Sequence, residues 1–172
     1  MDIESPSDNT ARDDAAQYCA KRKREDNNFI YSGGKLTKEE KYTVVNVTVI
    51  DHIMEIPTCA FSGCKFLTTI DISSSSTLSR IQASAFEGCI SLIGITLPNS
   101  LVIIESGAFS KCPYLLTVSF SNNSKCKEIQ NQAFSNCDSL MLINLPDSIE
   151  IIGEEVRFIL FCFILFLWAK IV

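Results

Sequence analysis

Eight cysteines and a single histidine are the residues of this 172-residue chain best suited to chemistry. Four of the cysteines, Cys64, Cys89, Cys112 and Cys137, follow one another at steps of 25, 23 and 25. Regularly spaced thiols could hold zinc, pair as disulfides or supply a nucleophile, provided the fold brings sulfurs, or a sulfur and a base, together. The histidine, His52, has no serine, cysteine or aspartate set around it in a catalytic pattern and reads as an exposed turn residue. The carboxylates are scattered, and none recurs in register to make a paired general acid and base. SGG at 32–34 is a turn signal, and no glycine-rich phosphate loop occurs. Two sequons, Asn46-Val47-Thr48 and Asn122-Asn123-Ser124, gain meaning only on a secreted chain.

The elements that position the cysteines are visible as a repeat. Each of the four closes one copy of Ala-Phe-x-x-Cys: AFSGC at 60–64, AFEGC at 85–89, AFSKC at 108–112 and AFSNC at 133–137. Counted from Phe61, Phe86, Phe109 and Phe134, apolar residues recur five before (Ile56, Ile81, Ile104, Ile129) and six after (Leu67, Leu92, Leu115, Leu140). They recur again nine after (Ile70, Ile95, Val118, Ile143) and eleven after (Ile72, Leu97, Phe120, Leu145). The L-x-x-I-x-L stretch alternates inward and outward side chains as a short strand does. Self-similarity at this period is the mark of a solenoid, whose core is buried coil against coil. The units are 53–77, 78–100, 101–125 and 126–148, and they differ in length only after the strand. There SSSST and SNNSK alternate with PNS and PDS, so long and short loops should alternate along one edge. A degenerate half-unit, 42–52, comes first, with Tyr42, Val45 and Val47 placed in register with Leu67, Ile70 and Ile72. Its strand is expected to be the N-terminal edge of the sheet. A partial unit, 149–157, keeps Ile149 and Ile152 but has Val156-Arg157 where Ala-Phe should stand.

The spacing I-x-x-x-A-F-x-x-C-x-x-L-x-x-I-x-L resembles the BspA-like leucine-rich repeats over about residues 42–152. The resemblance implies an α/β-type repeat, a right-handed leucine-rich repeat solenoid with a parallel sheet of short strands near 44–47, 69–72, 94–97, 117–120 and 142–145. The rest would be mostly β and loop, with few short helical turns. It also implies a non-enzymatic protein-binding module, since BspA-like proteins, found in bacteria and protozoan parasites, are often surface proteins in adhesion. The alternative is an intracellular scaffold, or a truncated family member without independent activity.

In such a solenoid the cysteine ladder spans three coil steps of ~4.8 Å, about 14 Å, too far for four sulfurs to surround one zinc at ~2.3 Å. Adjacent Cβ vectors run side by side, which disfavours disulfides. The four thiols are therefore expected to pack as small buried hydrophobes. The outward positions of the strands remain as the candidate partner-binding face: Thr69, Asp71, Gly94, Thr96, Thr117, Ser119, Leu142 and Asn144. The strip is small, polar and nearly uncharged, with Leu142 the apolar exception. It reads either as a face for a peptide or protein held by hydrogen bonds and shape or as merely solvated sheet. No cofactor, metal or small-molecule substrate is expected. Charged residues are 20% of the chain and the net charge is −5, which gives no reason to expect nucleic acid.

The flanks are different in kind. Residues 1–28 are polar, without apolar period, and are expected to form a disordered tail. Their run Lys21-Arg22-Lys23-Arg24 reads as a solvated charge run or as an import tag, and Cys19 has no evident partner. Residues 29–41 should make a turn and an N-terminal cap, with Thr37 and Glu40 at capping-box spacing. MDIESPSDNT lacks the apolar core of a signal peptide, so a cytoplasmic setting is expected. The hydrophobic segment 158–172 leaves three readings open: a membrane anchor through 156–172, a degenerate last coil, or a truncated array. AKIV at the C-terminus carries no prenylation cysteine.

Overall fold

The computed structural model describes residues 22–23 and 28–156. The chain begins with strands β1 (Arg22–Lys23) and β2 (Asn28–Tyr31) and a one-turn helix α1 (Lys38–Lys41). Thereafter two kinds of strand alternate. Those made by L-x-x-I-x-L are β3 (Asn46–Val49), β5 (Thr69–Ile72), β7 (Gly94–Leu97), β9 (Thr117–Phe120) and β11 (Leu142–Asn144). Between them lie two-residue strands around the isoleucine that precedes each Ala-Phe: β4 (Glu55–Ile56), β6 (Arg80–Ile81), β8 (Ile103–Ile104), β10 (Glu128–Ile129) and β12 (Ile151–Ile152). The result is a parallel-sheet solenoid of about five turns with very little helix.

Each coil has three sides. On the first, β7, β9 and β11 pair in parallel, as do β2, β3 and β5. On the second, β4, β6, β8, β10 and β12 form one unbroken parallel ladder. The third is made by the Ala-Phe turns, where Phe61, Phe86 and Phe109 each donate a backbone N–H to the alanine carbonyl of the next coil at 2.8 Å. Inside, the four phenylalanines are fully buried and stack as a column. Their centroids are 5.0, 5.1 and 5.4 Å apart, with planes within 7–8° of parallel.

The turn on the third side is bracketed by two left-handed residues, two before and two after each Phe. They are Cys59 and Gly63, Ser84 and Gly88, Gly107 and Lys111, and Gln132 and Asn136, with φ between 53° and 76°. Glycine takes this conformation without strain, whereas a Cβ costs ~1–2 kcal/mol. At Gly63 a Cβ would meet nothing within 4 Å, so the position isolates backbone strain from packing. Gly63→Ala is expected to cost about 1 kcal/mol in a denaturant melt; an unchanged midpoint would show that the turn relaxes freely.

The loops after the strands explain their alternation. In the long loops Ser76 and Ser124 are buried, and their hydroxyls accept the N–H two residues on, at 3.1 and 3.3 Å. In the short loops the serine reaches back instead: Ser100 donates to the carbonyl of Leu78, and Ser148 to those of Ser124 and Cys126.

Two expectations for the N-terminal end are corrected. First, the half-unit is displaced by two residues, because Val47 pairs with Ile70 and Val49 with Ile72. Val44, Val47 and Val49 are buried, whereas Tyr42 is 63% exposed and Val45 is half-buried. The corrected register leaves a three-residue loop, 50–52, which extends the long–short alternation backwards. Second, β3 is not the edge. β2 lies beside it in parallel, with Phe29 opposite Val47 and Tyr31 opposite Val49, and β1 closes on β2 antiparallel. Asn28 and the pair Arg22–Lys23 thus lie in strands within the expected polar tail, whose remaining residues are outside the described ones.

Residues 32–41 replace the missing Ala-Phe turn of this first coil. Leu36 is buried and its N–H donates to the Ala60 carbonyl, as a repeat phenylalanine would. The Thr37/Glu40 capping box forms, with Thr37 N–H to Glu40 Oε2 at 2.7 Å and Glu40 N–H to Thr37 Oγ1 at 3.2 Å. From the same helix Lys41 Nζ donates to the carbonyls of Cys59 and Ser62. At the other end Ile152 keeps register with Ile129, and Val156 is buried at the alanine position. Among the described residues no helix is long and apolar enough to cross a membrane. The expectations for 158–172 lie outside those residues.

Candidate functional site

The eight outward strand residues form two columns. Gly94, Thr117 and Leu142 are neighbours in one, and Thr96, Ser119 and Asn144 in the other. Thr69 and Asp71 stand on β5 opposite Asn46 and Thr48 of β3. Gly94 and Ser119 are half-buried, and the other six are exposed. Two of the eight spend their side chains locally. Thr69 Oγ1 donates to Asn46 Oδ1 at 2.6 Å, and Asn144 Oδ1 accepts from the Phe120 N–H at 2.9 Å. Gly94 has a packing reason, since a Cβ there would lie 2.7 Å from Thr117 Oγ1.

The strip is not continuous. β5 and β7 are not joined in one ladder, and only a long bond from Ile93 N–H to the Thr68 carbonyl, 3.5 Å, links the two segments at their start. A groove of about 760 Å³ lies over the ends of β3 and β5, lined by Thr48, Asp51, His52, Asp71, Ile72 and Thr96 among others. His52 is exposed in its turn, as expected, but it shares the groove with two of the strand-face residues. The residue pattern could not reveal this groove, because its walls are the ends of β3 and β5 and the turns that follow them, with Thr96 reaching in from β7.

A second surface feature lies beside the strand face. The residue following each repeat leucine also points outward, and in three units it is apolar: Ile93, Leu116 and Met141. Hydrogen bonds from Leu116 N–H to Ile93 O (2.7 Å) and from Met141 N–H to Leu116 O (2.9 Å) stack them directly. With Phe66 and Tyr114 nearby in sequence and equally exposed, they make an apolar rim at the start of the strand face.

The cysteines are core residues with one specific task. Cys89, Cys112 and Cys137 each donate a thiol hydrogen bond to the phenylalanine carbonyl of the preceding coil, Phe61, Phe86 and Phe109, at 3.2, 3.3 and 3.1 Å. Cysteine suits the place because it is small and apolar yet still a weak donor. All six cysteines of the described residues are free thiols. Burial pushes Cys64 up to about 12 and Cys126 up to about 11, and it raises Cys89 as well. Cys112 is raised by the Cys137 thiol beside it and then by burial.

These shifts fix a sign. A thiol whose pKa is raised on folding stabilises the fold fully below its ordinary value of 9.0, and that contribution is lost as pH climbs towards about 12. The stability of the parent should therefore fall more steeply above pH ~9 than that of Cys64→Ala, by up to about 1.4 kcal/mol per pH unit. Parallel slopes from denaturant melts across that range would contradict it.

Ion pairs lie on the other two sides of the coil. Arg80 stands between Glu105 at 2.8 Å and Glu55 at 3.5 Å, Lys111 pairs with Glu87 at 2.7 Å, and Lys127 pairs with Glu150 at 2.8 Å. Each joins different coils, and at such exposed sites each contributes little to stability. Among the described residues no group of His, Cys, Asp or Glu is set to hold a metal ion.

The repeat that builds this arrangement matches a known family. A profile of the BspA type leucine rich repeat region matches residues 39–158, in six copies. The chain belongs to this family. Among solved structures, the pneumococcal vaccine antigen PcpA superposes with a TM-score of 0.62 at 29% identity, over 74% of this chain and 31% of that one. This chain thus spans about a third of the pneumococcal protein. A leucine-rich repeat protein of T. pallidum aligns over 86% of this chain and 94% of its own, at 20% identity and a TM-score of 0.49. A leucine-rich cell surface protein of Faecalibacterium prausnitzii aligns over 66% and 38%, at 23% and 0.47. No curated protein matches the chain in sequence. BspA-type leucine-rich repeats are repeat modules of a kind suited to binding proteins, and that much of the expected function stands.

Proposed function

We propose that this BspA-type domain is a non-enzymatic protein-binding module whose strand face, Thr69, Asp71, Gly94, Thr96, Thr117, Ser119, Leu142 and Asn144, receives the partner. The observation that carries the reading is the register of these residues: side chains from successive coils stand side by side, mostly exposed, along one face next to a groove. Small side chains let another backbone approach closely, and their hydroxyl and amide groups offer hydrogen bonds. The partner is a protein, recognised without metal or cofactor, and the setting we favour is surface interaction or adhesion, in keeping with the family resemblance.

Asp71 is the only ionisable residue among the eight, so binding should depend weakly on salt. Thr96→Arg with Thr117→Arg places two bulky cations on neighbouring outward positions without touching the core. The double variant should melt like the parent and bind at least about tenfold more weakly, a loss of ~1.4 kcal/mol. The comparison is a pull-down from the source cell with parent and variant, each checked by circular dichroism. A folded variant that keeps every partner of the parent would move the site elsewhere, first to the loops SSSST and SNNSK.

A further inference from the structure

The apolar rim is flanked by two columns whose residue order is self-complementary. The residues after each repeat cysteine are Lys65, Ile90, Pro113 and Asp138, and the next ones are Phe66, Ser91, Tyr114 and Ser139. Adjacent coils hold these segments side by side, with Ser91 Oγ donating to the Lys65 carbonyl at 2.7 Å and Ser139 N–H to the Pro113 carbonyl at 3.1 Å. Phe66 is 54% exposed, Tyr114 64%, Ile93 52% and Met141 68%, so the rim presents large side chains to solvent. Lys65 and Asp138 are exposed at its two ends, and neither has an ion pair among the described residues.

We propose that this rim is the contact surface for a second copy of the chain, related by a two-fold axis along the strands. Such an axis keeps the strand direction and reverses the order of coils, so the first coil of one copy faces the fourth coil of the other. Lys65 then meets Asp138 of the second copy at both ends of the contact. Phe66 meets Ser139 and Tyr114 meets Ser91, so each large ring faces a small residue. Ile93 meets Leu116 across the centre. No like charges are opposed, because Asp71 falls opposite Asn144. The opposite arrangement, with each coil facing its own copy, would set Lys65 against Lys65, Asp138 against Asp138 and ring against ring. The rim extends over only about 14 Å of coil stacking, so the contact is small and the dimer weak. The contact takes in Asp71 and Asn144 of the strand face, so self-association and the proposed partner share surface, and sedimentation of the purified chain reads self-association alone.

The test is sedimentation velocity of the full chain between ~1 and ~100 μM, with folding checked by circular dichroism. The parent should pass from monomer to dimer. Lys65→Asp and Asp138→Lys, each alone, should weaken self-association at least about tenfold, since each opposes like charges at both ends. Mixing the two variants in equal amounts should restore dimers, because every charge at the contact then faces its opposite. Both positions are exposed, so the variants should fold like the parent. Association through any other part of the chain is indifferent to these two residues. A parent that stays monomeric throughout, single reversals that leave association unchanged, or a mixture that fails to recover would each overturn the proposal.

Discussion

Alanine in place of Phe86 or Phe109 is expected to lower the free energy of unfolding by about 3–5 kcal/mol, the range for emptying a buried aromatic site. Each ring is fully buried and lies between two others, Phe86 at 5.0 and 5.1 Å and Phe109 at 5.1 and 5.4 Å. At those separations, near-parallel rings must be laterally offset, which avoids the repulsive face-to-face alignment and adds to the gain from burial. The neighbours cannot collapse into the vacancy easily, because backbone bonds between coils pin the residues on either side of each ring. In a solenoid, stability rests on interfaces between nearest neighbours, so a gap in an interior coil weakens two interfaces at once. Equilibrium melts in urea are the measurement. A loss within ~1 kcal/mol for either variant would mean that the column is not the spine of the core.

The next largest effect should come from Tyr31, which terminates the column. It is 1% exposed, its ring lies 4.8 Å from Phe61 at 56°, and its hydroxyl donates to the Gly34 carbonyl at 2.6 Å. Tyr31→Ala should therefore cost about 3 kcal/mol or more, because it exposes Phe61 and releases the 32–41 segment from β2. Tyr31→Phe separates the two contributions: it keeps the ring and loses only the hydroxyl bond, for about 1 kcal/mol. Hydrogen exchange would locate the damage of the alanine variant in β2, β3 and the Ala60 turn. Equal protection in parent and variant there would show that Tyr31 is ornamental to the cap.

The repeat was legible because every interior position is filled by the same kind of side chain four times. Ile56, Ile81, Ile104 and Ile129, for example, are all fully buried in the second ladder. The N-terminal coil was misread for a physical reason. YTVVNVTV carries valine at 44, 45, 47 and 49, so two registers two residues apart both satisfy the L-x-x-I-x-L pattern. What decides between them is tertiary: Asn46 sits where its side chain accepts from Thr68 and Thr69 of the next coil. NFIY at 28–31 was hidden as a strand because no Ala-Phe turn announces it, and its capping partner Leu36 belongs to an irregular segment. The outward strand residues followed from alternation alone. The apolar rim could have been read from LIGITL, LLTVSF and LMLINL, had the second residue of each been treated as surface. The groove near His52 could not, since it is shaped by how the ends of β3 and β5 and the turns after them sit together, which no residue type marks.

The central claim, one coil per repeat with one phenylalanine ring stacked on the next, is tested most directly by through-space proton contacts between ring-labelled phenylalanines. The four column rings can be picked out among the eleven phenylalanines by Phe→Leu substitution one at a time. The account predicts cross-peaks for the pairs Phe61–Phe86, Phe86–Phe109 and Phe109–Phe134, whose centroids lie 5.0–5.4 Å apart. It predicts none between Phe61 and Phe109 or between Phe86 and Phe134, which stand two coils apart. Contacts between alternate rings, or no contact between successive ones, would contradict the stacked solenoid.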